Sequence, residues 1–493
     1  MDLLGTTTIF LVVCLVLLMA WRKVEAKMKN WPPGPTPLPV LGNLLQLKAT
    51  NVAERLKKMS EKYGPVFTVY FGSDQVVVLY GYNMVKKILV DSGDELLDRG
   101  SFPSADKNNR GLGLLMGNGE RWLQIRRFSL TTLRNFGMGK KGIEERIQEE
   151  AEYLMKELRN TKGQPFNPAM LLSCATANII SHILLGERFD YQDQEFCRIV
   201  CLLIESLRLE SSIAGQLYNI FPRIMDYLPG PHQTFFTNLA DIQAFVANKI
   251  RNHEKTLDPS SGPRDYIDSF LFKMEQEKNN PKTEFTRDNL MMTVYDIFFA
   301  ATETTSTSLR YTLMILLEHP AVEAKVQEEI DQVIGRERPP AMKDRLGMHY
   351  TEAVLHEAQR FLSLIPLGFT RIAKKDMELG GFKIPKGATL YPILSSALHD
   401  PTQFKNPYQF DPGHFLDEKG EFKKNGADMP FSAGKRNCLG EGLARMQLFL
   451  YITTILQSFR LKHPPGVTQI ELTPDVSGFG NIPHQVQLCF CPR

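Results

Sequence analysis

Residues Phe431-Ser432-Ala433-Gly434-Lys435-Arg436-Asn437-Cys438-Leu439-Gly440 set one cysteine in a loop, with glycines four positions before it and two after. A stretch rich in Ala, Leu and Arg follows and reads as a helix. A thiolate in such a place is stabilised by backbone N–H groups and by the helix N-terminus, and the glycines let a flat group come close. Arg436 adds a cation able to meet a carboxylate. Taken alone, an unpaired cysteine is most often a small buried hydrophobe. The order F-x-x-G-x-R-x-C-x-G marks Cys438 for chemistry instead.

The surrounding chain has 493 residues, long enough for several domains or one large enzyme. Hydrophobic residues make up 43% and charged ones 23%, an ordinary globular composition that excludes collagen, disorder and a polytopic membrane protein. Lys+Arg 58 against Asp+Glu 55 gives +3, too balanced for a nucleic-acid binder. Seven cysteines (Cys14, Cys174, Cys197, Cys201, Cys438, Cys489 and Cys491) form an odd set without repeated spacing, which fits a reducing compartment rather than a disulfide scaffold.

Upstream, the chain begins differently. Leu3 to Trp21 is almost uncharged, and about 19 residues at 1.5 Å each span about 28 Å, close to the hydrocarbon thickness of a bilayer. Arg22, Lys23, Lys27 and Lys29 follow, so the body is expected on the cytoplasmic side of an uncleaved single-pass anchor. Pro32 to Pro39 (PPGPTPLP) reads as a stiff extended spacer or hinge. The expected division is an anchor at 1–21, a basic linker and proline hinge at 22–39, and a catalytic body at 40–493.

Most of the body reads as helix, with stretches near 53–63, 82–92, 120–136, 143–160, 168–185, 194–212, 233–255, 286–318, 320–334, 351–363 and 441–459. Val66 to Tyr70 and Gln75 to Leu79 flank Gly72-Ser73-Asp74, a β-hairpin signal. Strand-like pieces recur near 378–384, 389–392 and 486–490. The expected fold is mainly α with a small β subdomain. No phosphate loop of the G-x-x-x-x-G-K-[ST] type occurs, and Gly111-Leu112-Gly113 lacks the third glycine of a dinucleotide site. The chain itself is therefore expected to bind no NAD(P) or FAD.

All the defining positions of the cysteine loop resemble those of the cytochrome P-450 superfamily of haem-thiolate monooxygenases. The resemblance implies that Cys438 is the axial ligand of haem b, pushing electron density onto iron, with Phe431 beside the sulfur. Further motifs follow in the family's order. Glu357-Ala358-Gln359-Arg360 is its E-x-x-R, and His414 in Phe410-Asp411-Pro412-Gly413-His414-Phe415 would complete a buried triad with Glu357 and Arg360 that locks the loop. Asp296-Ile297-Phe298-Phe299-Ala300-Ala301-Thr302-Glu303-Thr304-Thr305 is similar to the oxygen-helix pattern A-G-x-[DE]-T-[TS], with Ala301 where glycine is usual and Phe299 close by. Hydroxyls so dense within a helix are costly by propensity, and packing is one explanation for them. By resemblance, Ala300 lies against the haem, Thr304 orients oxygen and a water, and Glu303 helps deliver protons.

Trp122 and Arg126 form the family's W-x-x-x-R, and with Arg99, Arg371 and Arg436 they are expected around the haem propionates. Family-equivalent stretches supply pocket candidates: Leu114, Leu115, Met116, Ile297, Phe298, Ala301, Ile365, Leu367 and Phe479, with Asp296 the one polar member. A mostly apolar pocket suits small lipophilic substrates. The anchor, the hinge and Gly117 to Trp122 look most like the vertebrate microsomal family 2 branch. That branch oxidises foreign chemicals, fatty acids such as arachidonate, and steroids in the endoplasmic reticulum membrane. The implied partners are O2, membrane lipid and an NADPH-dependent reductase flavoprotein, docking on a basic patch for which Arg127, Arg134, Lys435 and Arg445 are candidates. Two other readings are a haem-thiolate isomerase or dehydratase without oxygen activation, and a non-catalytic haem or ligand-binding membrane protein.

Overall fold

A computed structural model describes residues 31–47, 52–137 and 141–493. The expected anchor and the linker up to residue 30 lie outside the described residues. Among the described residues, no helix is long and apolar enough to cross a membrane.

The body is built around one helix of 32 residues, Arg287–Glu318, the central helix. It starts where the Thr286 side chain accepts the Asn289 N–H, and it ends at His319 because Pro320 opens the next helix. Most of its residues are buried, since helices cover it on several sides. Ala169–Leu185 lies along it, mostly apolar and buried on nearly every side. Glu441–Ser458, Pro231–Thr256 and His349–Leu362 complete the surround, and Lys141–Asn160 packs behind Ala169–Leu185. The helical stretches expected from periodicity are present within a few residues of their bounds. Several short helices were not legible, among them Pro103–Asn109, Ile213–Ile220 and Tyr266–Gln276.

The expected hairpin is β1 (Val66–Phe71) and β2 (Asp74–Leu79), registered Val66 to Leu79 and turning at Gly72 with φ +60°. It joins β3 (Arg371–Ile372) and β6 (Thr389–Pro392) in one sheet of order β1-β2-β6-β3, in which β2 and β6 run parallel. The piece near 378–384 is a separate small hairpin, β4 (Met377–Leu379) with β5 (Phe382–Ile384). The last expected strand is displaced: Leu488 bridges to Phe166, and the strand paired with Phe459–Lys462 is Cys489–Pro492.

The proline segment is fastened to this sheet. Thr68 gives its N–H to the Pro33 carbonyl at 2.9 Å and its hydroxyl to the Pro32 carbonyl at 2.9 Å. Proline has acceptors but no N–H, so it can cover the free edge of β1 without extending it. A side chain at Gly34 would place its Cβ 2.0 Å from the Thr68 carbonyl oxygen, so only glycine fits there. Trp31 packs against the Val66, Val77 and Leu390 cluster. The segment read as a spacer is thus a strap whose rigidity comes from attachment as well as from proline.

Candidate functional site

The cysteine loop lies between two helices that both hold it. Gly434 has φ +75°, and a Cβ there would meet the Leu89 carbonyl oxygen at 1.7 Å. Glycine is therefore required by conformation and by space. The Cys438 N–H closes onto the Phe431 carbonyl at 2.9 Å. Arg126, from the helix Gly119–Asn135, donates to the Asn437 carbonyl at 2.8 Å and to its side-chain oxygen at 3.1 Å. Cys438 is accessible by surface area yet surrounded by protein mass, as for a side chain that lines an internal slot. Burial pushes its thiol up, and the N–H groups of Gly440 and Glu441 together with Arg126 pull it down. The protein alone therefore leaves the thiol protonated, and a bound cation is what would make it a thiolate.

The central helix presents one open face. Ala300 is exposed and Ala301 and Thr304 are half-buried, whereas Thr302, Glu303, Thr305, Ser306 and Thr307 are buried. The Thr304 hydroxyl donates to the Ala300 carbonyl at 2.7 Å. A polar seam runs against Ala169–Leu185: Thr176 donates to the Thr302 carbonyl at 3.0 Å and Ser173 to the Ser306 hydroxyl at 2.9 Å, while the buried Thr302 and Thr307 hydroxyls donate within their own helix, to the Phe298 carbonyl and to Glu303. Packing thus accounts for most of the dense Thr and Ser run, with Thr304 as the exception. Glu303 sits in that seam, with the Thr307 hydroxyl 3.1 Å from its carboxylate. Burial raises it to about 7, against the pull of Arg310, Thr307, Ser173 and Ser306.

The predicted cations come together. Arg99 and Arg371 pair as neighbouring backbone segments, and Arg371 and Arg436 are buried. Arg436 lies 4.3 Å above the Trp122 ring, with Arg126 5.4 Å from the same ring. Arg436 is braced by the carbonyls of Leu97 and Gly117 and by Asn118 Oδ1. Burial and the neighbouring guanidiniums lower Arg371 to about 10 and Arg436 to about 9. Arg99 Nε, Arg371 Nη1, Arg436 Nε and Trp122 Nε1 are buried without partners. Like charges gathered with unsatisfied N–H groups require anions between them. A soft sulfur donor beside such a cluster fits haem with its two carboxylates. Asn118 was not singled out from sequence; it sits where a helix cap would, but its amide holds Arg99 and Arg436 instead.

The expected triad is assembled. Glu357 and Arg360 are fully buried and bidentate, both contacts at 2.7 Å. Arg360 also holds the carbonyls of Leu398 and Pro407, and Glu357 receives the Asp411 N–H and His414 Nδ1. The Glu357 carboxylate raises His414. A second network was not legible: His356 joins Glu352 at 3.0 Å and Asp428 at 2.5 Å and lies 3.0 Å from Arg445. It ties His349–Leu362 to the cysteine loop and to the helix after it. Arg445 is therefore no surface cation; its side chain is 12% exposed. Lys435 is paired with Asp94, whereas Arg127 and Arg134 are exposed.

Two pocket candidates need correction. Asp296 accepts the N–H groups of Leu114 and Leu115 at 2.8 and 2.9 Å and the Asn109 amide at 3.0 Å, so it clamps a loop and has no need of a substrate. Phe298 is 1% exposed and stacks 6.2 Å from Phe245 in the helical core. Ile297 and Met116 are also buried, while Leu114, Leu115 and Ile365 are half-buried. Leu367 and Phe479 line a cavity of about 630 Å³ against the sheet; neither Cys438 nor Thr304 lines it. This cavity is lined apart from Cys438 and Thr304, and the chemistry is assigned by the cysteine site.

The sequence model of the family Cytochrome P450 matches residues 32–490. Among curated relatives, Cytochrome P450 2C23 of Rattus norvegicus is 49% identical over 496 residues, covering 100% of both chains. Cytochrome P450 2C11 of Rattus norvegicus is 52% identical over 478 residues, 97% of this chain and 95% of its own. Cytochrome P450 2H2 of Gallus gallus is 49% identical over 495 residues, 100% of each.

Proposed function

The chain belongs to the cytochrome P450 family, and from that premise we propose the residue roles by which it works. It is a haem-binding, reductase-dependent monooxygenase of lipophilic substrates, of the vertebrate family 2 type. When bound, the haem supplies O2 activation, inserting one oxygen atom into substrate while the other leaves as water.

Cys438 would hold the iron, and Arg99, Arg126, Arg371, Arg436 and Trp122 would hold the propionates, with Phe431 and Ala300 as further residues that would contact the group. Thr304 holds a proton at Oγ1 on the open face, where its bond to the Ala300 carbonyl can be exchanged for one to a water or to oxygen. Glu303, one residue away in the seam and titrating near neutrality, is the proton reserve. Glu357, Arg360 and His414 fix the loop without touching substrate. Leu114, Leu115, Ala301 and Ile365 are the remaining candidates for the apolar walls. The electron donor is an NADPH-dependent flavoprotein reductase, and the enzyme sits on the cytoplasmic face of the endoplasmic reticulum membrane through residues 1–21. The substrates are foreign lipophiles, fatty acids such as arachidonate, and steroids.

The observation that carries this reading is the buried guanidinium cluster with unpartnered N–H groups beside one cysteine. The test is the absorption spectrum of the reduced, carbon-monoxide-bound protein in membranes. A Soret band well to the red of imidazole-ligated haem, lost in Cys438→Ser, is expected. A globin-like band in folded wild-type protein would remove the thiolate reading.

A further inference from the structure

Four sulfur atoms share one helix–helix seam that the oxidation chemistry does not use. Met170 and Cys174 stand four apart on Ala169–Leu185, and Cys197 and Cys201 stand four apart on Gln194–Ser211, so each pair occupies one helix face. The two helices pack together, and Cys201 Sγ meets Met170 Sδ at 3.7 Å. With Cys201 opposite Met170, one turn along each helix in opposite directions sets Cys197 opposite Cys174. There the Cys174 thiol hydrogen-bonds Cys197, whose own thiol donates to the Tyr191 carbonyl at 3.0 Å. Cys174 is 2% exposed, Met170 and Cys197 are half-buried, and Cys201 is exposed, so the row of sulfurs runs from solvent into the core.

Such a row is poorly suited to oxidation or alkylation. Burial raises all three thiols, and the charges acting on them are negative: Glu150 on Cys174, Asp190 and Asp193 on Cys197, and Glu205 on Cys201. The thiolate, which is the reactive form, is thereby disfavoured. The same negative surroundings favour a cation that takes the place of the thiol protons. Thiols beside a thioether are a soft donor set, which selects Cu(I) over the harder ions that carboxylates hold. We propose that the seam binds one Cu(I) ion between the sulfurs of Cys174 and Cys197, with Cys201 and Met170 as the solvent-side pair that captures it first. Each thiol exchanges its S–H bond for an S–Cu bond, both protons go to solvent, and copper stays in the +1 state. The bound ion pins Gln194–Ser211 to Ala169–Leu185, the helix that lies along the central one. The site is built from other elements than the Cys438 loop and does not depend on the monooxygenase reading.

The test uses the full-length protein with its haem bound, so that Cys438 is occupied, and Cu(I) supplied anaerobically in competition with a coloured Cu(I) chelator. Wild type is expected to retain one equivalent of copper, to gain a near-ultraviolet sulfur-to-copper absorption band, and to unfold several degrees higher than the copper-free protein. Cys174→Ala and Cys197→Ser are each expected to weaken retention about a hundredfold and to remove both the band and the thermal shift. Their reduced, carbon-monoxide-bound spectra should match wild type, which shows that the fold is kept. Met170→Leu with Cys201→Ala is expected to slow copper uptake about tenfold and to leave retention nearly unchanged. Cys489→Ser with Cys491→Ser is expected to behave as wild type. Failure of wild type to retain copper, or retention that survives Cys174→Ala combined with Cys197→Ser, would overturn the proposal. Loss of copper in the Cys489 and Cys491 variant alone would overturn it too, placing the ion on the terminal strand. Uptake unchanged in the Met170 and Cys201 variant would strike the capture step.

Discussion

Asp296 illustrates what one residue's surroundings decide. Its sequence position, four residues before Ala300, suggested a polar contact for substrate, but its partners are backbone N–H groups about 180 residues away in the chain. Such a contact has no local signature, whereas the ten residues around Cys438 carry theirs within the loop itself. Burial raises Asp296 to about 7 from an ordinary 3.8, and no cation is among its partners. The folded protein therefore holds the proton more tightly than the unfolded chain does. The associated stability is fully present below the unfolded value and is lost as pH rises toward 7. Asp296→Asn keeps an acceptor for the two N–H groups and has no such dependence. Denaturant titrations of both proteins should show wild type losing about 3 kcal/mol relative to the variant between pH 5 and 8. Parallel pH profiles would mean that the carboxyl is ionised in the fold throughout.

At the scale of elements, the central helix separates two uses of hydroxyl side chains that its sequence runs together. Thr302, Ser306 and Thr307 belong to a seam whose other half, Ser173 and Thr176, sits on the mostly apolar helix Ala169–Leu185. The motif was legible; the division of labour was not, because it depends on which face meets Ala169–Leu185. The same reason hid the His356 network, whose partners Asp428 and Arg445 lie on other elements. Glu357 and Arg360, three apart on one helix, were legible because their geometry is local. The division predicts a crossed result. Ser173→Ala removes a buried hydrogen bond and should cost about 1–2 kcal/mol in thermal or denaturant unfolding, with the fraction of reducing equivalents lost as peroxide unchanged. Thr304→Ala removes a hydroxyl bonded only to its own helix, and should change stability by less than about 0.5 kcal/mol while raising peroxide release several-fold. Similar peroxide yields from the two variants would put Thr304 in the packing seam with the rest.

For the molecule as a whole, the net charge of +3 says nothing of where a reductase would dock, and only the folded surface sorts the candidates. Arg127 and Arg134 lie on the same exposed side of Gly119–Asn135, the helix whose Arg126 grips the cysteine loop from within. That helix joins an outer charged face to the haem side in one rigid element. Arg445 looked equivalent in sequence but is spent internally on Glu441, His356 and Gln359. Exposed charges act on association chiefly over a Debye length, about 10 Å at 0.1 M salt. The paired substitution Arg127→Glu with Arg134→Glu should therefore lower reductase-driven turnover about tenfold at low ionic strength, with the deficit shrinking as salt is raised. Turnover driven by added peroxide, which needs no reductase, should be unchanged in that variant. Arg445→Glu should lose haem under both regimes, because it places a carboxylate among Glu441, Asp428 and Glu352. If peroxide-driven turnover fell along with the reductase-driven rate in the paired variant, the two arginines would be supporting the fold of the loop, and the docking face would lie elsewhere.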